Sequence, residues 1–341
     1  MRGRSPPELR LASLPDAVVR SIAAPGRTSF NPSIASGDRG FLCTIRTLNG
    51  HPDSDGDIGG SPDNRLQGDW IARLDASLNV LDMQPVDLSF LAKGDAGQMY
   101  DSRPFRWNGG WWLATTWTFD ASPDRCQMML CRLEGAKIVE QHFLPSPMHV
   151  ALEKNWMPLV RGERLEWIYW VDPMEVVAYL GGSGLSHRRV ARWRRLDDWR
   201  GSSQCVRYGS NWLCVVHLRT HVRRSVYMHR LVEFTDDFQI RRVSEPFMFE
   251  IDGIEFCAGL CLTDTDAILS YGVRDCEARL IRLPLSRVES MLQPFRPHPP
   301  AMAAWLSVRA SLRPLTHNPW IRHPRKQLRA ALARRGNPES R

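Results

Sequence analysis

Between about residue 30 and residue 283 the chain carries no long helical periodicity. Short alternating runs of Trp, Val, Ile, Leu and Tyr follow one another there, separated by Gly, Asp, Asn and Pro turns. This pattern predicts a nearly all-β chain. The runs also repeat: Gly40 to Arg46 (GFLCTIR) can be laid over Asn211 to His217 (NWLCVVH), with Trp112 to Trp117 as a looser third copy and Leu165 to Trp170 and Ala267 to Gly272 as two more. A second kind of strand follows most copies, at Ile71 to Asp75, Leu130 to Glu134, Arg230 to Phe234 and Leu280 to Leu283. Five copies of a few short strands each, recurring unevenly at roughly 50 to 70 residues, fit a five-bladed β-propeller, whose radial repetition leaves only short, protected sheet edges. A sandwich would not explain the constant internal order of the copies. Innermost strands line the channel of a propeller, so with the first-type copies in that place Arg46, His217 and the Tyr271-Gly272 turn converge on one mouth.

The predicted organisation is an N-terminal arm over residues 1–29, a propeller over 30–292 and a basic, Pro- and Arg-rich tail over 293–341. With 341 residues, 43% hydrophobic and thirteen Trp, the chain has the material for a substantial core and is not a disordered linker. The net charge of +8 suggests nucleic acid until it is divided along the chain. Arg296 to Arg341 holds ten Lys or Arg and one acid, Glu339, so the tail carries +9 and the rest −1. A nearly neutral body does not present a phosphate-tracking surface, so no specific nucleic acid is expected and contact with an anionic membrane or acidic partner falls to the tail. Pro284 to Leu292 has helical apolar spacing with a Ser near its start and predicts a short helix; Ala301 to Leu312 and Lys326 to Arg335 read as short basic amphipathic helices or a solvated end. The first residues have charges and prolines where a signal peptide needs an apolar stretch, and no run of about eighteen apolar residues occurs, so the expected location is cytoplasmic, with membrane association only through the tail. Eight Cys lack any CxxC pair or repeated spacing. They read as reduced, small hydrophobes, and no metal is expected.

Four local constellations put polar groups into strand-and-turn regions: Phe30-Asn31-Pro32, Tyr100 to Phe105, Glu153 to Pro158 and Ile254 to Gly259. With these, residues 28 to 283 resemble the five-bladed propellers of glycoside hydrolase family 130, the β-mannoside phosphorylases and their relatives. The resemblance rests on the Asn-Pro start, Arg46 after the first strand, a Glu-Asp-Pro-Arg-like element at Tyr100 to Arg103, and Lys154-Asn155. It continues through Trp212-Leu213 leading to His217, then Tyr227, then Tyr271-Gly272-Val273-Arg274-Asp275. Tyr100 and Ser102 stand where Glu and Pro are usual, and Lys-Asn-Trp replaces the commoner Lys-Asp.

The resemblance implies Asp101 as general acid, with Arg46, Arg103, Lys154, His217 and Tyr227 around inorganic phosphate, which would attack the anomeric carbon with inversion as a co-substrate; no other cofactor is implied. Asn31, Tyr100, Trp107, Asn155, Trp156, Glu255 and Asp275 are the expected substrate contacts. The chemistry is coherent: cations hold a dianionic nucleophile in a partly dry pocket while one acid protonates the departing oxygen. Hydrolysis would need a second carboxylate, for which Glu153, Glu255 and Asp275 are the candidates. Bland readings stand beside these roles, Asp101 and Arg103 as a structural turn pair, His217 as a satisfied core residue and the Trp residues as wedge filling. Lys154 carries more weight, because a Lys flanked by Leu152, Trp156 and Met157 is hard to explain as ordinary surface. The expected function is thus a carbohydrate-active enzyme on a β-mannoside-type glycan, phosphorylase or glycosyltransferase before hydrolase, with a non-catalytic glycan-binding propeller partnering a glycosyltransferase as the alternative class.

Overall fold

The computed structural model describes residues 9–49, 67–90, 97–119, 122–192, 196, 198–221 and 225–296. The first strand, β1 (Val18–Ile22), belongs to the last sheet. The first sheet holds β2 (Thr28–Gly37), β3 (Gly40–Leu48), β4 (Gln67–Leu74) and β5 (Val80–Pro85); the second holds β6 (Gly97–Trp107), β7 (Gly110–Phe119), β8 (Ser122–Glu134) and β9 (Lys137–Leu144). The third holds β10 (Met157–Arg161), β11 (Arg164–Trp170), β12 (Met174–Gly181) and β13 (Gly184–Ala191). In the fourth, β14 (Arg200–Gly201) and β15 (Val206–Tyr208) together edge β16 (Asn211–His221), followed by β17 (Ser225–Phe234) and β18 (Ile240–Ser244). The fifth sets β19 (Glu255–Leu262) beside β20 (Asp266–Val273) and β21 (Glu277–Pro284), and β1 completes it. These are five blades of an all-β propeller.

Sequential antiparallel pairing within each blade follows from the short turns: Gly37 pairs with Gly40, Trp107 with Gly110, Arg161 with Arg164 and Tyr208 with Asn211. The repeated copies seen in the sequence are the second strands of their blades, not the innermost. The channel-facing strands are those carrying Asn31, Asp101 and Ala258, a correction that alternation alone could not supply because both strands are apolar.

Adjacent blades are held by the wedges between them. Leu213, Val215 and Leu231 of the fourth blade pack with Leu260, Leu269 and Ile281 of the fifth; Ile34, Cys43 and Ile45 meet Ile268 and Leu280; Leu42 and Ile71 meet Leu113 and Met129; Phe105 and Leu130 meet Trp156 and Trp167. Each such side chain, fully buried, contributes about 1.5–3 kcal/mol. All the described cysteines are free, and all but Cys276 are buried.

The ring is fastened from both ends of the chain. β1 pairs with β21 in the register Val19 to Ile281, so part of the predicted N-terminal arm is the outer strand of the last blade. The predicted short helix is present as α1 (Leu285–Met291), with Pro284 rather than a serine at its N-cap, and it leads to β22 (Leu292–Pro294), which pairs with β18 of the fourth blade. The sheets therefore extend from Val18 to Pro294, beyond the limits expected from the sequence. The basic segments at Ala301 to Leu312 and Lys326 to Arg335 lie outside the described residues. Among the described residues no helix is long and apolar enough to cross a membrane.

Candidate active site

Three innermost strands leave regular geometry at the same level. The pairing of β2 with β3 shifts between Phe30 and Ser33, that of β6 with β7 between Tyr100 and Arg103, and that of β19 with β20 between Cys257 and Gly259. A bulge leaves extra residues outside the ladder and re-aims their side chains. Asn31 and Asp101 sit in the first two with φ of 43° and 54°, and Asn155, just before β10, has φ of 64°. Asn and Asp visit this left-handed region more readily than other residues that carry a Cβ, yet each such residue costs of order 1–3 kcal/mol and persists only where its surroundings hold it.

Hydrogen bonds do the holding. Asp101 Oδ1 accepts from Asn31 Nδ2 at 3.1 Å and from Arg46 Nη1 at 3.3 Å. Arg46 in turn lies between two rings, 4.8 Å from the Phe30 centroid and 4.6 Å from that of Tyr100. Arg103 donates from Nη1 to the Asp101 carbonyl at 3.0 Å, from Nη2 to Asn155 Oδ1 at 3.2 Å and from Nε to the Ser202 carbonyl at 2.6 Å, so one cation ties together the second, third and fourth blades. Close backbone approach closes the ring around them. A Cβ on Gly272 would fall 2.1 Å from Asn31 Oδ1, and one on Gly201 2.1 Å from the Asn155 carbonyl.

Several expected roles change with these positions. Arg103 is fully buried, and burial lowers its pKa to about 10, so it anchors the bulge and lends charge without being open to an anion. His217 pairs with Arg200 across the sheet, stacks on Tyr227 at 5.7 Å and meets the edge of Phe256 at 5.1 Å. Burial, reinforced by the charges of Arg200, Arg103 and Lys154, lowers its pKa to about 3. It is a neutral imidazole near neutral pH, not a phosphate-binding cation. Lys154 is exposed, as is Leu152, so the apolar-burial argument for it fails, although its charge reaches His217.

Four expected participants are structural. Trp107 lies at the hairpin end of β6, donating to the Glu163 carbonyl at 2.8 Å and packing on Trp112 and Tyr179, far along the strand from Asp101. Trp156 is fully buried and donates to Glu153 Oε2, while Glu153 also receives Ser146 and Tyr169. Glu255 is fully buried and accepts the backbone N–H groups of Phe249, Glu250 and Ile251. Of the candidate second carboxylates only Asp275 belongs here. Burial first, and then the charge of Asp101, raise its pKa against the opposing pull of Arg46 and Arg219. Tyr227, whose ring is 5.6 Å from the Arg219 guanidinium, flanks the same group.

Three residues here were not singled out from the sequence. Arg200 lies 4.0 Å over the Trp170 ring, and Arg219 faces Tyr227 and Asp275. Asp69, buried on β4, pairs in register with Arg46 and hydrogen-bonds Ser102. The available signal was an acid at a position that alternation with Ile71 assigns to the interior. Among the described residues no group of three His, Cys, Asp or Glu could hold a metal ion.

No family model matches the chain, and no curated protein matches it. Among solved structures it is similar to the β-1,2-mannobiose phosphorylase of Listeria innocua in complex with β-1,2-mannobiose. The TM-score is 0.54 at 12% identity, over 82% of this chain and 94% of that one. The fold is the five-bladed propeller of such enzymes. A second similar structure, from the glycoside hydrolase family 130 of mannoside phosphorylases, is described with hydrolases that target β-1,2-mannosidic linkages in Candida mannan; its TM-score is 0.53 at 12% identity, over 80% and 87% of the two chains. A β-xylosidase is similar at a TM-score of 0.51 and 10% identity, over 77% and 94%. One architecture thus carries different glycosidic chemistries, and the site must argue its own.

Proposed function

We propose that the protein is a carbohydrate-active enzyme that cleaves a β-mannoside-type glycosidic bond with inversion, using Asp101 as general acid and inorganic phosphate as nucleophile. The observation that supports it is the setting of Asp101: its side chain is 12% exposed, held in a left-handed bulge, and fixed through Oδ1 by Asn31 and Arg46. A carboxyl oriented in this way delivers a proton to a departing oxygen from a set position, and Arg46, Arg219 and Lys154 supply positive charge at the same end of the ring for the attacking anion. Asn31, Tyr100 and Asn155 are the sugar-side contacts in this reading, and the neutral His217 serves as a hydrogen-bonding wall. The solved structures of similar fold include a phosphorylase bound to a mannobiose, which fits the substrate class.

One feature favours a second reading. Asp275 is a partly buried carboxyl in the field of Arg46 and Asp101, and in this reading it is the group that would activate water in an inverting hydrolase. The assay for both is release of sugar 1-phosphate, against free sugar without phosphate, from β-mannosides. Asp101→Asn should keep the fold and lower turnover about 10²- to 10⁴-fold. Phosphate-independent turnover that Asp275→Asn abolishes selects hydrolysis. No turnover, with glycan binding unchanged in Asp101→Asn, selects a binding module.

A further inference from the structure

Asp69 is an acid in the interior beside the proposed general acid, and the chemistry so far does not use it. Its Oδ2 is hydrogen-bonded to Ser102 Oγ, while Oδ1 is buried with no hydrogen-bond partner. Ser102 Oγ lies 2.8 Å from Thr115 Oγ1, which lies 3.3 Å from the Tyr100 carbonyl; Thr44 Oγ1 donates to the Ser102 carbonyl. These contacts surround the bulge that carries Asp101. Each hydroxyl has one proton, and a carbonyl only accepts. If Thr115 donates to the Tyr100 carbonyl and Ser102 donates to Thr115, the proton between Ser102 and Asp69 must come from Asp69. That assignment gives each of these contacts one proton and leaves only Asp69 Oδ1, uncharged, without a partner. An ionised Asp69 would instead leave a buried, unpartnered oxygen carrying charge next to another carboxylate, which is costly.

We infer that Asp69 is a positioning residue that holds the Asp101 bulge as a neutral carboxylic acid, at the head of the chain Asp69 to Ser102 to Thr115 to the Tyr100 carbonyl. The inference deepens the assignment of Asp101 as general acid and rests on it for its kinetic consequence only. The charged groups acting on Asp69 are Arg46, opposite it in register on β3, and Asp101 on β6. Burial is the dominant influence and raises the Asp69 pKa to about 7; Ser102 opposes it, Asp101 adds to it and Arg46 opposes it. Raising pH through that value therefore ionises Asp69, and the Ser102 hydroxyl then donates to the carboxylate, so the contact between Ser102 and Thr115 loses its proton and the bulge loses one of its ties.

The test compares full-length wild type with Asp69→Asn and Asp69→Ala. The amide of Asn donates to Ser102 as the neutral acid does but cannot ionise. By infrared spectroscopy, wild type at pH 6 should show the carbonyl stretch of a protonated carboxyl that fades as pH rises through about 7 and is missing from Asp69→Asn. A band absent from wild type, or unchanged in Asp69→Asn, overturns the inference whatever the enzyme does. In the turnover assay Asp69→Ala should lower kcat about tenfold, the loss of roughly one buried hydrogen bond. Asp69→Asn should restore it at pH 6 and retain it above pH 8, where wild type declines. An alkaline decline identical in wild type and Asp69→Asn also overturns it. Full activity in Asp101→Asn would sink the general-acid reading and leave the spectroscopic result standing.

Discussion

At the Asp101 end of the ring the Arg103 guanidinium is fully buried, its donors are spread over three blades, and the backbone beside it runs through left-handed Asn31, Asp101 and Asn155. At the hairpin end, an open cleft of about 700 Å³ between the third and fourth blades is lined by Arg161, Arg164, Arg207, Trp212 and Asp236. There Arg207 and Asp236 pair at 2.8 Å with side chains 49% and 57% exposed, and Arg207 rests over Trp212. The two ends are close in residue type and opposite in physics. Charge in water with a near neighbour in the same blade costs little and contributes little. Charge withdrawn from water and shared between distant segments is costly, and it persists where strain and orientation serve a site. A cleft with aromatic and basic walls is thus a weaker pointer to chemistry than a small, nearly closed cluster.

The comparison can be broken most sharply at Asp101, where the Asn variant is expected to lose about 10²- to 10⁴-fold in turnover with an unchanged thermal melt. Comparable activity in that variant would remove the reason for ranking one end above the other. Next is Gly272→Ala. Its Cβ would meet Asn31 Oδ1 at 2.1 Å and the Asn31 nitrogen at 2.6 Å, so a destabilisation of about 1–3 kcal/mol is expected in denaturant titration, together with reduced turnover as Asn31 is displaced from Asp101. A neutral outcome would show that the bulge is not held as tightly as its contacts imply.

His217 gives a pH-dependent effect of smaller size. Its folded pKa is about 3 against an ordinary 6.5, so between those values the unfolded chain binds more protons than the folded one. Its contribution is present above 6.5 and is lost as pH falls toward 3. His217→Gln should flatten the fall in melting temperature over that window, and an unchanged slope would mean that the imidazole is not desolvated. The smallest effect belongs to the other end. Arg207→Ala should shift stability by no more than about 1 kcal/mol and leave turnover alone, so a marked loss of activity there would relocate the site.

The ring and its five blades were legible because alternation and repeat order are written into single strands, whereas the resemblance to mannoside phosphorylases rested on short motifs such as Tyr100 to Arg103 and Lys154-Asn155. The closeness of Asn31, Arg46 and Asp101 comes from matched bulges on β2 and β6, with Arg46 on the strand beside the first of them. What escaped depends on depth and register. Trp107 and Trp156 are aromatic in the right segments, yet one sits at the far end of its strand and the other in a wedge between blades. Glu255 is an acid in a matching motif but is used up by three backbone donors. Lys154 looked buried because its sequence neighbours are apolar, but Leu152 beside it points to water. Asp69 went unseen because its partner Ser102 comes 33 positions later, and residue type does not reveal hydrogen-bond direction.

The pairing of Val19 with Ile281 sets a condition on how this molecule is born. Three blades can be complete on a growing chain while β1, made first, waits unpaired for β21 and the fourth blade still lacks β22. Closing so long a loop carries a large entropic cost and is slow to find, so the ring stays open until nearly all of it has been synthesised. During that interval the edge of β21 is exposed to other chains, and a protein clipped ahead of Val18 would keep its seal whereas one clipped after Ile22 would carry that open edge permanently.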